Sequence, residues 1–390
     1  MAQQDSILIV AGEASADVYG AQLVRVLRGQ SPDLRLWGVG GKAMQEQGFE
    51  ADIDAHTFST AGLTEVLTSL PRLWKALRRL SQLAAKRRPK VAVLLDLPDF
   101  NLRLAARLKS LGIVVIYYVS PQLWAWRPKR VEAVRRNVDK MLCILPFEPA
   151  FYEKYGVPAE YVGHPMVEEF PDISTQEEVR AALSLESNEA PVVALLPGSR
   201  KKEVERHLPT MLRGMELLQE KHPGLSVLLP VASTLDRSLF SAAVEQSALK
   251  IRLLDGHAAQ ALGAADVAVV CSGTATLQTA LLERPMVVVY RVSAITYWLL
   301  RRLVRVAHIA LVNIIANQRL VAELIQYQMT PQGIARETAA LLSDATRRRT
   351  LQDELSKIRL TLGQFKPAER VAHIALGYFM PPSHPSDSHP

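Results

Sequence analysis

The chain is 390 residues long, 48% hydrophobic and 22% charged with 23 prolines, which excludes a disordered or fibrous protein and allows two cores of ordinary size. A formal net charge of +7 points to an anionic partner: nucleic acid, an anionic membrane surface or a phosphorylated substrate. Aromatic residues make up 6% and no RNA-binding motif is present, which argues against nucleic acid.

The N-terminal stretch MAQQDSILIVAGE lacks a basic start and enters a strand-like run at once, so no signal peptide and a cytoplasmic location are expected. Short, continuously apolar runs then alternate with helical segments. ILIVAG leads into DVYGAQLVRVLRGQ, followed by LRLWGVGG, VAVLLD, a helix over about 102–110, IVVIYYVS and KMLCILP. Strands apolar on both faces are those of a parallel sheet with helices on each side. From about 170 to 190 the chain turns polar and acidic, a linker with a short helix.

The pattern then restarts with PVVALLPGS, LSVLLPVA, KIRLLDG, DVAVVCSG and PMVVVYR. The expected fold class is α/β, two Rossmann-like domains with parallel sheets facing across a cleft. Their expected bounds are 1–168 and 169–355, with a helical segment 356–379 crossing back to the first domain and a disordered Pro/Ser-rich tail over 380–390. The two cysteines, Cys143 and Cys271, lie inside apolar runs and read as buried free thiols. The most membrane-like stretch, YWLLRRLVRVAHIALVNIIA, carries Arg301, Arg302 and Arg305. Each would cost about 2.5–3.5 kcal/mol at a bilayer centre, so no span is expected.

The first turn, VAGEASADVYG, passes from strand to helix through Gly12, Glu13, Ser15 and Asp17. Small residues there let backbone approach a ligand, although Ser15 as a plain N-cap is an equal reading. Glu13 stands where such sheets bind ligands. GVGGKAMQEQG follows the second strand with the wrong spacing for a dinucleotide loop and reads as a tight turn. In LLDLPDFN, Asp96 ends a buried strand and is the candidate general base, while Asp99 suits helix capping. Trp124 and Trp126, with Arg127, Lys129 and Arg130, could stack a base or sugar, sit at a lipid interface, or pack the core.

In LLPGSRKKEVERHLP, Gly198, Ser199 and Arg200 follow a strand and open a helix, bringing backbone N–H groups and a guanidinium to one spot. Ser272, Gly273 and Thr274 repeat that arrangement after DVAVVC. Two such turns on adjacent strand ends suit one diphosphate better than two ordinary caps. Neither matches an ATPase loop. Two basic amphipathic stretches, LPRLWKALRRLSQLAAKRR and YWLLRRLVRVAHIA, suit a core or a membrane surface. In the first, Leu70, Leu73, Trp74, Leu77, Leu80 and Ala84 share one face.

Taken in order, VAGEASADVYG, DLPDFN, YYVSPQLWAWRPKR, LPFEPAFYEKYGVPAEYVGHP, LLPGSRKKEV, CSGTATLQTALLERPMVVVYR and LVNIIANQRLVAELIQ resemble the lipid-A-disaccharide synthase family, glycosyltransferase family 19, over about 7–377. The resemblance implies GT-B architecture and inverting transfer of 2,3-diacylglucosamine from its UDP conjugate to 2,3-diacylglucosamine 1-phosphate (lipid X). The products would be a β-1,6 disaccharide 1-phosphate and UDP. It implies work at the inner face of the cytoplasmic membrane, on an anionic lipid surface, without cofactor, metal or nucleic acid, and it allows a homodimer.

By the same resemblance Asp96 is the base, Arg200 the arginine beside the diphosphate, and Asn313 an essential asparagine. Ser272, Gly273 and Thr274 form the UDP turn, and Glu13, Ser15 and Asp17 lie near the acceptor. Two departures stand out: Ala16 replaces a glycine, and Gln278 replaces a glutamate expected at the ribose hydroxyls. The residues alone leave open another GT-B sugar-nucleotide enzyme, such as a UDP-N-acetylglucosamine epimerase, or a non-catalytic peripheral membrane binder.

Overall fold

A computed structural model describes residues 4–58, 66–126, 128–170, 174–185, 190–232, 235–294, 296–298 and 306–379. The expected tail over 380–390, Arg127 and the arginines at 301, 302 and 305 lie outside the described residues. The chain divides into two compact units, residues 1–165 with 362–390, and residues 166–361.

The first unit is a seven-stranded sheet of β1 (Ser6–Ala11), β2 (Arg35–Gly40), β3 (Glu50–Asp54), β4 (Val91–Leu95), β5 (Val114–Tyr118), β6 (Lys140–Cys143) and β7 (Ala159–Tyr161). Their order is β3-β2-β1-β4-β5-β6-β7, and every pairing is parallel. The central runs are buried on both faces. The two edge strands, EADID and AEY, are short and polar, so their sequences carry no apolar run.

Helix Val66–Arg87 buries Ala76, Leu77, Leu80 and Ala84, while Arg87 pairs with Asp52 at 2.6 Å and lies 4.5 Å over the Trp37 ring. Trp74 departs from the expected apolar face and stands 57% exposed, with the Arg107 guanidinium 5.4 Å from its ring. The side chain of Leu70 lies outside the described set. Helix Pro367–Gly377 packs on helix Ala14–Gln30, and Arg370 Nε donates to Glu160 at 2.7 Å.

The second unit holds β8 (Val192–Leu196), β9 (Ser226–Val231), β10 (Lys250–Asp255), β11 (Val267–Cys271), β12 (Met286–Tyr290) and β13 (Ala322–Ile325). Their order is β10-β9-β8-β11-β12-β13, again all parallel. The acidic linker contains helix Gln176–Ala182, opened by a capping box of Thr175 and Glu178. Asp266 fastens that helix to the sheet, accepting from Arg180 Nη2 and the Val192 N–H, both at 2.8 Å. Helix Ala345–Leu362 is anchored by Arg359, which donates to the carbonyls of Leu281 and Phe170 at 2.7 and 2.9 Å. Among the described residues no helix is long and apolar enough to cross a membrane.

Candidate active site

A doubly wound sheet opens a crevice at the carboxyl ends of its strands where the strand order reverses. In the second unit the order reverses between β8 and β11. The PGSR and CSGT turns leave those two strands. They line one cavity of about 470 Å³ with Gln278, Cys271, Tyr290 and Glu203. Gly198 (φ 132°) and Gly273 (φ 151°) provide backbone that a side chain would strain. Helices Lys201–Gln219 and Thr274–Leu281 start at this cavity, so both positive helix ends face it. Arg200 is 81% exposed and Thr274 is exposed, whereas Gln278 is half-buried.

Two expectations about these turns need correction. The Ser199 and Arg200 N–H groups are taken up by Glu203, whose Oε2 accepts from them at 3.1 and 3.3 Å. A Cβ on Gly198 would come within 2.6 Å of Glu203, so this fold-over depends on the glycine. The Ser272 hydroxyl donates to the Ile309 carbonyl at 3.1 Å, so it braces the turn from behind. Helix Thr274–Leu281 starts at the cavity on the second turn.

Asn313 lies fully buried. Its amide donates to the Val321 carbonyl at 3.0 Å and Glu323 Oε1 at 2.9 Å, and its Oδ1 accepts from the Val321 N–H at 3.0 Å. Both amide protons and one acceptor position of Oδ1 are used by protein, and with the side chain fully buried Asn313 acts in this arrangement as a brace.

In the first unit the order reverses between β1 and β4, and Ala11 lies opposite Leu95. Gly12–Glu13 and Asp96 therefore leave neighbouring strand ends. Glu13 is exposed at the helix start, in the N-cap position expected for Ser15, and Ser15 is exposed in the first turn. Asp17 points elsewhere: its carboxylate accepts from the N–H groups of Gly41, Ala43 and Met44 at 2.6, 3.0 and 3.3 Å. It caps helix Lys42–Glu46. Gly12 makes room for protein, since a Cβ there would meet Leu97 Cδ2 at 2.8 Å and Phe58 at 3.2 Å. Ala16 sits inside the helix at 1% exposure, where its methyl group packs without distortion.

Asp96 and Leu97 are both left-handed, at φ 48° and 46°. Each such non-glycine residue costs on the order of 1–3 kcal/mol, and these clusters mark functional sites. Burial, and then the charge of Glu13, push the Asp96 carboxyl up to about 6. Asp99 pairs with Arg130 from the first turn, and the N-cap position is held by Leu97.

Trp124 is half-buried, its Nε1 donating to Glu148 at 3.1 Å and its ring edge-on to Phe147 at 4.9 Å. Those contacts favour packing over stacking on a ligand. Trp126 ends helix Leu123–Trp126, and its side chain lies outside the described set. Among the described residues no cluster of three His, Cys, Asp or Glu side chains is placed to hold a metal ion.

The family model for lipid-A-disaccharide synthetase matches residues 7–376. The chain belongs to the lipid-A-disaccharide synthase family. The lipid-A-disaccharide synthase of Myxococcus xanthus is 47% identical over 98% of this chain and 99% of its own. That of Anaeromyxobacter dehalogenans (strain 2CP-C) is 48% identical over 96% and 97%. Among solved structures, a putative UDP-N-acetylglucosamine 2-epimerase from Listeria monocytogenes superposes with a TM-score of 0.66 at 11% identity, covering 97% of both chains. A calicheamicin glycosyltransferase gives 0.61 at 13%, covering 98% of this chain and 100% of its own. These likenesses establish the fold, two Rossmann-like domains of the GT-B kind.

In this member of the lipid-A-disaccharide synthase family, several side chains around the site were missed by sequence reasoning. His207 is buried, with Nδ1 2.8 Å from the Pro197 carbonyl and Nε2 accepting from the Arg291 N–H at 3.1 Å, so it ties the PGSR turn to the end of β12. Glu203 had a legible signal, the capping-box spacing three residues after Arg200. Glu148 and Glu323 had none, because a buried carboxylate and a solvated one read alike in sequence.

Proposed function

We propose that the chain transfers 2,3-diacylglucosamine from its UDP conjugate to 2,3-diacylglucosamine 1-phosphate, giving the β-1,6 disaccharide 1-phosphate and UDP. The observation that carries this reading, within the family assignment, is the shared cavity of the 198–200 and 272–274 turns. It suits a diphosphate, with helix N-termini and the Arg200 guanidinium supplying positive potential. Asp96 takes the proton of the acceptor's primary hydroxyl as that oxygen attacks the anomeric carbon. The bond from that carbon to the diphosphate oxygen breaks, and UDP carries away the charge. The N–H groups around Gly273–Ala275 and Arg200 stabilise that charge as it develops. Gln278, on the cavity wall, would meet the ribose hydroxyls as both donor and acceptor.

The direct test incubates the protein with both acylated substrates in detergent micelles and follows disaccharide and UDP. Turnover that persists with unacylated sugars would favour another sugar-nucleotide enzyme. No product with either class would reject transfer altogether. The lipid partners also imply docking on an anionic leaflet, for which exposed Trp74 beside exposed Arg72, Lys75, Arg78 and Arg79 is suited. Vesicles with phosphatidylglycerol should bind the protein, and Trp74→Ser should weaken that binding. An unchanged Trp74→Ser would move the docking face elsewhere.

A further inference from the structure

The carboxylate of Asp96 has a main chain that is held unusually tightly. Its N–H donates to the Tyr118 carbonyl at 3.2 Å. Its carbonyl accepts from Asn101 Nδ2 at 2.9 Å and from the Tyr117 hydroxyl. Asn101 Nδ2 also reaches the Leu95 carbonyl at 3.0 Å, so both protons of one amide close on consecutive carbonyls. Asn101 and Tyr117 are fully buried. They come from different places, the helix that follows Asp96 and the neighbouring strand β5. From a third side, the Leu97 side chain lodges over Gly12, where any Cβ would collide with it.

These groups surround the two left-handed residues at 96 and 97. A chain free to relax would leave that conformation, since neither residue is glycine. We propose that Asn101 and Tyr117 are positioning residues of the transfer reaction, clamping the Asp96 main chain so that its carboxylate is held at the carboxyl end of β4 beside Glu13. The inference rests on the reading of Asp96 as the base. The clamp acts on the carbonyl, while the carboxylate accepts only from the Leu97 backbone N–H among the groups that shift its pKa and keeps further acceptor capacity for the acceptor's hydroxyl. Its loss would let residues 96–97 relax towards ordinary backbone and carry the carboxylate into water.

The consequences differ from those of a merely structural defect. A solvated Asp96 loses the burial that raises its pKa from 3.8 to about 6, so the acid limb of kcat/KM moves to lower pH. A misplaced base lowers kcat by about ten- to a hundredfold. The UDP cavity belongs to the second unit, so UDP affinity stays the same.

Tyr117→Phe removes the hydroxyl and keeps the ring in the core; Asn101→Ser and Gly12→Ala disturb the clamp from its other two sides. Each is assayed for kcat and KM from pH 4.5 to 8.5, for UDP binding by calorimetry and for melting temperature, beside Asp96→Asn. The expected result is a fall in kcat with an acid limb shifted to lower pH, unchanged UDP affinity, and variants folded at the assay temperature. A folded Tyr117→Phe with wild-type kcat and pH profile, beside an inert Asp96→Asn, overturns the clamp and leaves the base standing. Losses that track only the unfolded fraction in all three variants overturn it too. An active Asp96→Asn removes the base assignment itself.

Discussion

Glu203 Oε2 accepts a hydrogen bond from the Ser199 N–H at 3.1 Å, inside the cavity proposed for the diphosphate of the donor. A carboxylate on those donors competes with an incoming phosphate and repels it. Glu203→Gln keeps the size and one acceptor while removing the charge. UDP binding should tighten by about 1 kcal/mol, roughly fivefold, and the gain should shrink as salt is raised. Calorimetry at two ionic strengths measures this. Weaker binding in Glu203→Gln would show that the carboxylate serves the ligand by holding the turn.

Turnover should rise with pH through an acid limb near 6, because Asp96 must be ionised to accept the acceptor's proton. Burial is the larger cause of that elevated value, and the Glu13 charge is the second. Glu13→Gln should therefore move the limb to lower pH and leave it above that of an ordinary aspartate. A pH–rate profile of the two proteins decides it. A limb that stays in place in Glu13→Gln would mean that Glu13 is not beside the base.

Much of this arrangement was legible in the sequence, for definite reasons. Continuous apolar runs such as VAVLL and VVALL mark central parallel strands, and the chain order of turns locates both crevices once the sheet order is known. Side-chain direction was not legible. Asp17 was expected near the acceptor and Asn313 as an essential asparagine, yet one caps helix Lys42–Glu46 and the other braces a loop. Short polar residues serve backbone and ligand with the same chemistry, so only three-dimensional context separates the roles. Edge strands such as EADID escaped for a related reason: half-exposed, they need no apolar run.

Glu148 should make stability depend on pH. Burial pushes its carboxyl up to about 7, although the Ser120 hydroxyl, Trp124 Nε1 and the Leu145 N–H all donate to it. A group whose folded pKa lies above its unfolded value of 4.5 contributes stability that is full below that value. The contribution is lost as pH rises through about 7, to a total of about 3 kcal/mol. Thermal melts of the wild type should thus decline from pH 5 to pH 8. Glu148→Gln, which cannot ionise, should show a flatter profile from a lower starting point, since one buried donor then faces the new amide. Parallel slopes in the two proteins would count against this assignment.

The buried pair Asn313–Glu323 reaches the 272–274 turn, proposed to hold UDP, through one carbonyl. Glu323 accepts from the N–H groups of Ile309 and Ala310, and the Ile309 carbonyl in turn accepts from the Ser272 hydroxyl. Removing Asn313 strips Glu323 of one donor and the Val321 N–H of its acceptor, at about 1–3 kcal/mol for each orphaned buried group. Asn313→Ala should therefore lower the melting temperature and weaken UDP binding together, and Ser272→Ala should reproduce the second effect with little of the first. Stability and affinity should fall in step across Asn313→Ala, Asn313→Asp and Glu323→Gln. If Asn313→Ala instead melted like the wild type, bound UDP normally and lost only kcat, the side chain would have to turn out of its pocket and meet the substrate.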